Sequence, residues 1–593
     1  MSALCHLFTA ILGTLLLAGC GDNHPAAPRT SAGHPLPQPP FVASCEPGRS
    51  GGELRLALGG NLKTFNPVVA SDGTSQELTR ILFASLVSMD WATQEVRPAL
   101  AESWSVAADQ KTWTFKLRRG LRWSDGQPLT ADDVVFTWND VIYNPDIPNQ
   151  FAEPFQPGGK KFSVTKMDDT SVQVFTPEVF APFLEFFGIV PVLPKHSLSR
   201  DVAGKQFSSA FNLGTPPEQL ASSGPFRLKK FNYGSSLILE RNREYWAVDK
   251  TGQRLPYFDF VIYTIIPNSG AGMKLFFDGK TDTYERVRPE EYESFEKAAS
   301  GGKFQLLNVG AATEKDVFWF NQNTGTNAAG QPLVSPSKLK WFRSTKFRQA
   351  IALAINRDRI AQSAYGGRAK PSISFLAEDS KRWTPPAITQ TNYNPAKARE
   401  LLAELGLQDR NGNGFLEDAE SNAVEIVFAT NLGNPTRFAV GALIVDDLRK
   451  LGVKMNYQAM PFPMLAQKIN VTGDYECVLL GLGGGGLDPA SSLNVLKSSD
   501  TMCQWFPSQK TPSTDWEARI DSLLDVQMQT LDPAARKKAF DEIEAILTEQ
   551  APMIYTVTPF AYSAVNPGLG NTHPAPAAPS RVTWNVEELY RKK

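Results

Sequence analysis

Two periodicities alternate along this chain. In "ESWSVAADQKTWTFKLRRGLRW", Trp113, Phe115 and Leu117 fall on one side of an extended segment and Thr114, Lys116 and Arg118 on the other, which predicts a half-buried hairpin. "SSGPFRLKKFNYGSSLILERNREYW" predicts two more strands turning at Tyr233-Gly234, and "GGELRLAL" predicts another at the start of the body. Between such stretches the apolar repeat lengthens to three or four residues. "TADDVVFTW" begins a helix with Thr130 as N-cap and acids in its first turn. "KFRQAIALAINRDRI" predicts an amphipathic helix that stops near Asn356 and restarts. "NPAKARELLAELG" predicts a helix opened by Pro395 and closed by Gly406. "RFAVGALIVDDLRKLGVKMNYQAM" reads as helix, Gly stop and strand, and "LDPAARKKAFDEIEAILTEQAP" as a capped helix before the apolar "MIYTVTPFAY". No internal repeat interrupts this alternation. The pattern is that of an α/β protein with intertwined domains.

At 593 residues there is core enough for two or three domains. The 60 basic and 61 acidic residues leave a net charge of -1, with no basic stripe to hold nucleic acid. The N-terminus adds an address. "LFTAILGTLLLAGC" is too short and too early for a spanning helix and ends in small residues before Cys20. Residues 1–19 are expected to be a signal peptide of lipoprotein type, with Cys20 as the lipid-bearing first residue of the mature chain. The opening "MSALCH" departs from that pattern by lacking Lys or Arg, and an ordinary secretory signal is the alternative. Residues 20–52, rich in Pro, Ala, Ser and Gly, read as a tether. The protein is therefore expected in the periplasm or at the cell surface, anchored by lipid.

Few residues suit catalysis. Of five His, only His196 and His573 lie in the body, and HExxH, GxSxG and paired CxxC motifs do not occur. Cys45, Cys477 and Cys503 remain beyond Cys5 and Cys20. Since Cys45 adjoins the tether, Cys477 with Cys503 is the expected disulfide. "DRNGNGFLEDAE" places Asp409, Asn411, Asn413, Phe415, Glu417 and Glu420 at ligand positions of an EF-hand-type loop. A helix precedes it but a strand pattern follows, so it is half an EF-hand. Two readings stand: a structural calcium, or a turn-rich connection using Asn and Gly for left-handed backbone. No cofactor beyond that ion is expected.

Taken in order, "LKTFNP", "PALAESWSVAADQKTWTFKLRRGLRWSDGQPLTADDVVFTW", "SSGPFRLKKF", "FRQAIALAINRDRI", "YNPAKARELLAELG" and the "LDPAARKKAFDEIEAILTEQAP" tail resemble the extracellular solute-binding proteins of the oligopeptide/dipeptide/nickel type that serve ABC importers. The resemblance implies a two-lobed periplasmic-binding-protein fold, type II, of the large cluster with an extra subdomain. It places residues 53–308 and 551–593 in lobe I, a subdomain at about 91–212, and residues 309–550 in lobe II. Crossings fall near "NVGAATEKDVFWFN" and "EQAPMIYTV". It implies a monomeric receptor, not an enzyme, that captures a small solute such as a peptide or oligosaccharide and hands it to permease subunits. A sensor or adhesion receptor of the same fold, or a glycan or peptide hydrolase, are the other classes weighed.

In peptide-binding relatives an acid shortly before a "DP" step pairs with the peptide's amino group. In this chain "LLGLGGGGLDPASS" puts Gly485 at that place, with Gly484 beside it and Asp488 in the step itself. The glycines could admit close backbone approach by a ligand, or could be a plain turn. Phe65, Asn66 and Asp72, in the loop after the first strand, and Trp505 complete the candidate ligand set, each with turn scaffolding or packing as the alternative.

Overall fold

The computed structural model describes residues 34–60, 62–156, 159–188, 190–372, 374–376, 379–383, 392–483 and 488–592. In the first lobe, strand Glu53–Gly59 runs parallel to Phe260–Ile266. Ser236–Arg241 and Phe226–Asn232 continue that sheet antiparallel. The last two are the expected hairpin, and Gly234 supplies the positive φ its turn needs. A second, antiparallel sheet lies outside the first, in the order Ala101–Val106, Thr112–Leu117, Ser171–Phe175 and Ser163–Asp168. Its alternation is the predicted one as far as Leu117, with Trp113, Phe115 and Leu117 buried and Lys116 exposed. Arg118, expected on the open face, is instead buried because its guanidinium donates to the Ala99 and Pro39 carbonyls at 2.8 and 2.9 Å. Helix Ala131–Val135 opens with a full capping box between Thr130 and Asp133. One continuous apolar core serves both sheets, from Ala43 to Leu589.

The Pro-rich stretch read as a tether through residue 52 is packed from residue 34 onward. Phe41–Val42 pair with Ala247–Val248, Phe41 meets Trp246 edge-on at 5.9 Å, and Ala43 and Cys45 enter the core. Proline-rich composition marks missing periodicity, not missing contacts.

The second lobe holds a five-stranded sheet in the order Lys454–Met460, Glu425–Asn431, Cys477–Gly483, Glu314–Phe320, Met553–Tyr555. The first three strands are parallel and the others antiparallel. Both faces are covered. Phe318, Phe320, Cys477 and Leu479 pack on one side, with helices Thr345–Ala354, Arg357–Tyr365 and Pro395–Glu404. Val317, Trp319, Val478 and Leu480 pack on the other, with Asp515–Gln529 and Pro533–Gln550. The first helix does stop and restart as expected, with the Asn356 side chain capping the second segment.

This layering corrects the expected disulfide. Cys477 lies in the core on one face of the sheet and Cys503 in the core on the other, and both are free, buried thiols. A bond between them would have to pass through the sheet. Cys45 is likewise free and buried.

Two crossings join the lobes and lie side by side. Gln305–Ala311 leads into Glu314–Phe320, and Met553–Tyr555 leads into Val557–Val565. Each incoming strand pairs antiparallel with the returning one. Thr556 donates to the Asp316 carbonyl through its backbone N–H at 3.2 Å and its hydroxyl at 2.7 Å, stitching the crossings together.

Candidate functional site

In open sheets with parallel strands, ligands sit beyond the carboxyl ends of those strands. In the second lobe those ends are Asn431, Met460 and Gly483. Asn434 caps helix Pro435–Lys450 by accepting from Arg437 N at 2.9 Å, which brings the Arg437 side chain back over the sheet edge. Its Nε donates to Asp316 Oδ1 at 2.7 Å and its Nη1 to Asn431 Oδ1 at 2.7 Å. Gly481 gives the guanidinium room, because a side chain there would collide with Nη2. Asp316 is 6% exposed; burial raises its pKa, with the Arg437 charge opposing that rise. Tyr365 Oη donates to its other oxygen at 3.5 Å. None of Asp316, Asn431, Arg437 or Gly481 was singled out by sequence reasoning. The available signal was "NLGNPTR", an N-capped helix start directly after a strand.

Toward the first lobe, strand Thr283–Val287 pairs with the crossing strand Val557–Val565 and carries one of several neighbouring charges. Glu285 accepts from Val582 N at 2.7 Å and Thr583 Oγ1 at 2.9 Å, and burial raises its pKa. Burial, reinforced by the Glu285 charge, pushes Glu77, on helix Gly73–Leu82, up to about 7. Burial, aided by the neighbouring Arg286 charge, lowers Arg581 to about 10, against the fields of Glu314 and Glu285. This chain of charges runs from the helix that follows the first strand to the start of the second lobe.

The candidates from sequence fare unevenly. Phe65 is fully buried, with Phe231 edge-on at 5.7 Å. Asn66 is fully buried as well: its Nδ2 donates to the Phe207 and Ala210 carbonyls at 3.0 and 3.4 Å, and its Oδ1 accepts from Val68 N at 3.1 Å. Asp72 caps helix Gly73–Leu82 through Ser75 N at 2.9 Å. Trp505 is fully buried and donates to Glu517 at 2.9 Å. Asp488 caps the turn Pro489–Val495 and pairs with Arg536 at 2.7 Å, both side chains almost inaccessible. These five are therefore held by scaffold contacts. Gly484, Gly485 and Cys20 lie outside the described residues.

In the loop, Asp409 accepts from Gly412 N and Gly414 N at 2.8 and 2.9 Å, Asn411 from Asn413 N at 3.0 Å, and Asn413 from Phe415 N at 2.8 Å. The Asn411 amide donates to Glu417, and Glu420 N donates to Asp418. Gly412 and Gly414 take positive φ. Asp409, Glu417 and Glu420 do not gather: no group of three His, Cys, Asp or Glu suited to a metal occurs among the described residues. The loop is a series of Asx turns.

Residues 95–502 match the family model described as bacterial extracellular solute-binding proteins, family 5 Middle. The chain belongs to that family. These are extracytoplasmic binding proteins rather than enzymes. Among relatives, a "Probable ABC transporter-binding protein" of Deinococcus radiodurans is 29% identical over 79% of this chain and 80% of its own length. The oligopeptide-binding protein AppA of Bacillus subtilis is 24% identical over 92% of each chain. Among solved structures, AppA with a nonapeptide superposes with a TM-score of 0.65 at 22% identity, covering 92% of this chain and all of that one. MelB of Agrobacterium fabrum with stachyose gives 0.68 at 21%, covering 94% and 88%. NikA of Brucella suis with Fe(III)-EDTA gives 0.72 at 19%, covering 91% and 100%. The family-5 fold is thus shared with holders of three unlike cargoes, so the fold alone does not choose among them.

Proposed function

We propose that this protein captures a small solute between its lobes and delivers it to an ABC importer, held at the membrane by a lipid on Cys20. The family match and the two adjacent crossings between separately packed lobes support this reading. Residues 53–308 with 551–593 act as lobe I, the stretch about 91–212 as its outer subdomain, and 309–550 as lobe II. A solute touching both lobes binds the closed arrangement better than the open one and shifts the population toward it. A peptide or peptide-like solute is favoured by the names of the relatives, which include dipeptide- and oligopeptide-binding proteins. The test is native mass spectrometry of material co-purified with the protein, followed by thermal-shift titration with tripeptides and oligosaccharides. A peptide that raises the melting temperature, with no turnover, is the expected result. Turnover of the bound molecule, or stabilisation by no solute of either class, would overturn it. Cys20→Ser is expected to move the protein from the membrane to the soluble fraction.

A further inference from the structure

A chamber of about 410 Å³ opens between the outer subdomain and the second lobe, at a distance along the chain from the residues described above. One wall is Trp104, Val106 and Leu184; facing it are Leu531 and Pro533, where helix Pro533–Gln550 begins. These make a slot for a flat apolar group, and its volume falls in the range of small-molecule sites. Its polar lining is one-sided. Arg382 and Arg536 both border it from the second lobe, while Glu185 is the sole carboxylate on the walls. Arg382 pairs with Glu185 at 2.7 Å, and Asp488 engages Arg536. Trp113 also lines the chamber. It is 5% exposed and stacks on Phe183 with ring centroids 4.6 Å apart, an apolar end wall. Arg536 is spent on Asp488 and the Gln527 carbonyl, but the Arg382 side chain is 38% exposed and commits only Nη1 to Glu185, so its remaining N–H donors can take acceptor oxygens from an occupant.

Arg382 is held in place by the segment around it. Gln94, in the turn of the Val87–Pro98 hairpin, donates through Nε2 to the Asp379 carbonyl at 3.1 Å and accepts from Lys381 N at 2.8 Å. Lys381 Nζ reaches the Ala92 carbonyl at 2.7 Å. Trp383 then stacks under Arg536, with the guanidinium 5.0 Å from the ring.

We propose that this chamber is a subsite for the apolar, carboxylate-bearing end of the captured solute. The carboxylate takes Arg382, and the apolar group fills the slot beside Trp104. Because the walls belong to both lobes, occupancy favours closure. The inference rests on the solute-capture reading and narrows its ligand class.

The test uses 3-phenylpropionate as probe, with 3-phenylpropanamide and propionate as controls, titrated by ligand-observed NMR into the full-length protein. The wild type should bind 3-phenylpropionate and discriminate against both controls. Arg382→Gln should weaken binding about tenfold, the loss of one charge-assisted contact. Val106→Trp, at a position 39% exposed and so free of core packing, should abolish it by filling the slot while leaving the circular dichroism spectrum unchanged. No binding to the wild type, equal binding of the amide, or affinity unaltered by both substitutions would overturn the proposal. If tripeptides or oligosaccharides still bind in that case, only the subsite falls; if they do not, solute capture falls with it.

Discussion

The first strand-to-helix loop of lobe I and the equivalent edge of lobe II have opposite economies of polar groups. In the loop around Phe65–Asp72, the polar side chains singled out are spent on neutral backbone groups, within the loop, at the helix it leads into and at the Phe207–Ala210 turn. Asn66 donates to the Phe207 and Ala210 carbonyls and accepts from Val68 N, and Asp72 caps a helix. At the lobe II edge, Asp316, Asn431 and Arg437 converge across three elements that are far apart in sequence. Hydrogen bonds from a side chain to neutral backbone groups build scaffold whatever their span. Long-range convergence of charge at a sheet edge costs desolvation and is the better mark of a site.

The sharpest break of that comparison is Arg437→Ala. It strands the buried Asp316 carboxylate, so it should cost about 3–5 kcal/mol in urea unfolding and abolish solute binding. A loss below about 1 kcal/mol with affinity intact would remove the lobe II edge from the site.

Glu544 tests whether the lobe II interior behaves as its burial implies. It is fully buried and accepts from Ser374 Oγ at 2.8 Å and Phe375 N at 2.9 Å, and burial pushes its pKa up to about 7 from 4.5. An acid raised in the folded state binds its proton more tightly there, so its contribution is fully present below about pH 4.5. It is lost as pH rises through about 7, by about 3 kcal/mol. Glu544→Gln should flatten the stability profile across that window, and an unchanged slope would contradict the assignment.

On the lobe I side the expected effects are smaller and purely structural. Asn66→Ala should cost about 1–3 kcal/mol by leaving buried backbone groups unmet, with solute affinity unchanged at a temperature where the variant is folded. Asp72→Ala should cost about 1 kcal/mol, the usual loss of an N-cap. A selective loss of affinity in either variant would return that loop to the site.

The same contrast explains what was legible in the sequence. The half-buried hairpin at Trp113, Phe115 and Leu117 was readable because one face meets water. The strand Glu314–Phe320 is buried on both faces, so "VFWF" carries no alternation to show which residue faces which core. The expectation of a Cys477–Cys503 bond rests on setting Cys45 aside as tether, and "CVLL", buried on both faces as well, carries no alternation to show that Cys477 faces away from Cys503. Caps at Thr130, Asn356 and Asp532 were local and therefore visible. The Asp316–Arg437 pair spans 121 residues, and no local pattern encodes such a meeting. The Pro-rich segment failed for a related reason, since its pairing with Ala247–Val248 is set by the body it packs on.

The account turns on closure of one lobe against the other. Tyr233 in lobe I and Val471 in lobe II are 85% and 77% exposed, and the cysteines at 45, 477 and 503 are buried, so spin labels on cysteines introduced at those two exposed positions report the gap between lobes. Double electron-electron resonance should be recorded on protein stripped of solute by unfolding and refolding, then on the same sample with the recovered solute added back. The account predicts a shorter, narrower distance distribution with solute present. Identical distributions in the two samples, with the solute shown to be bound, would contradict it.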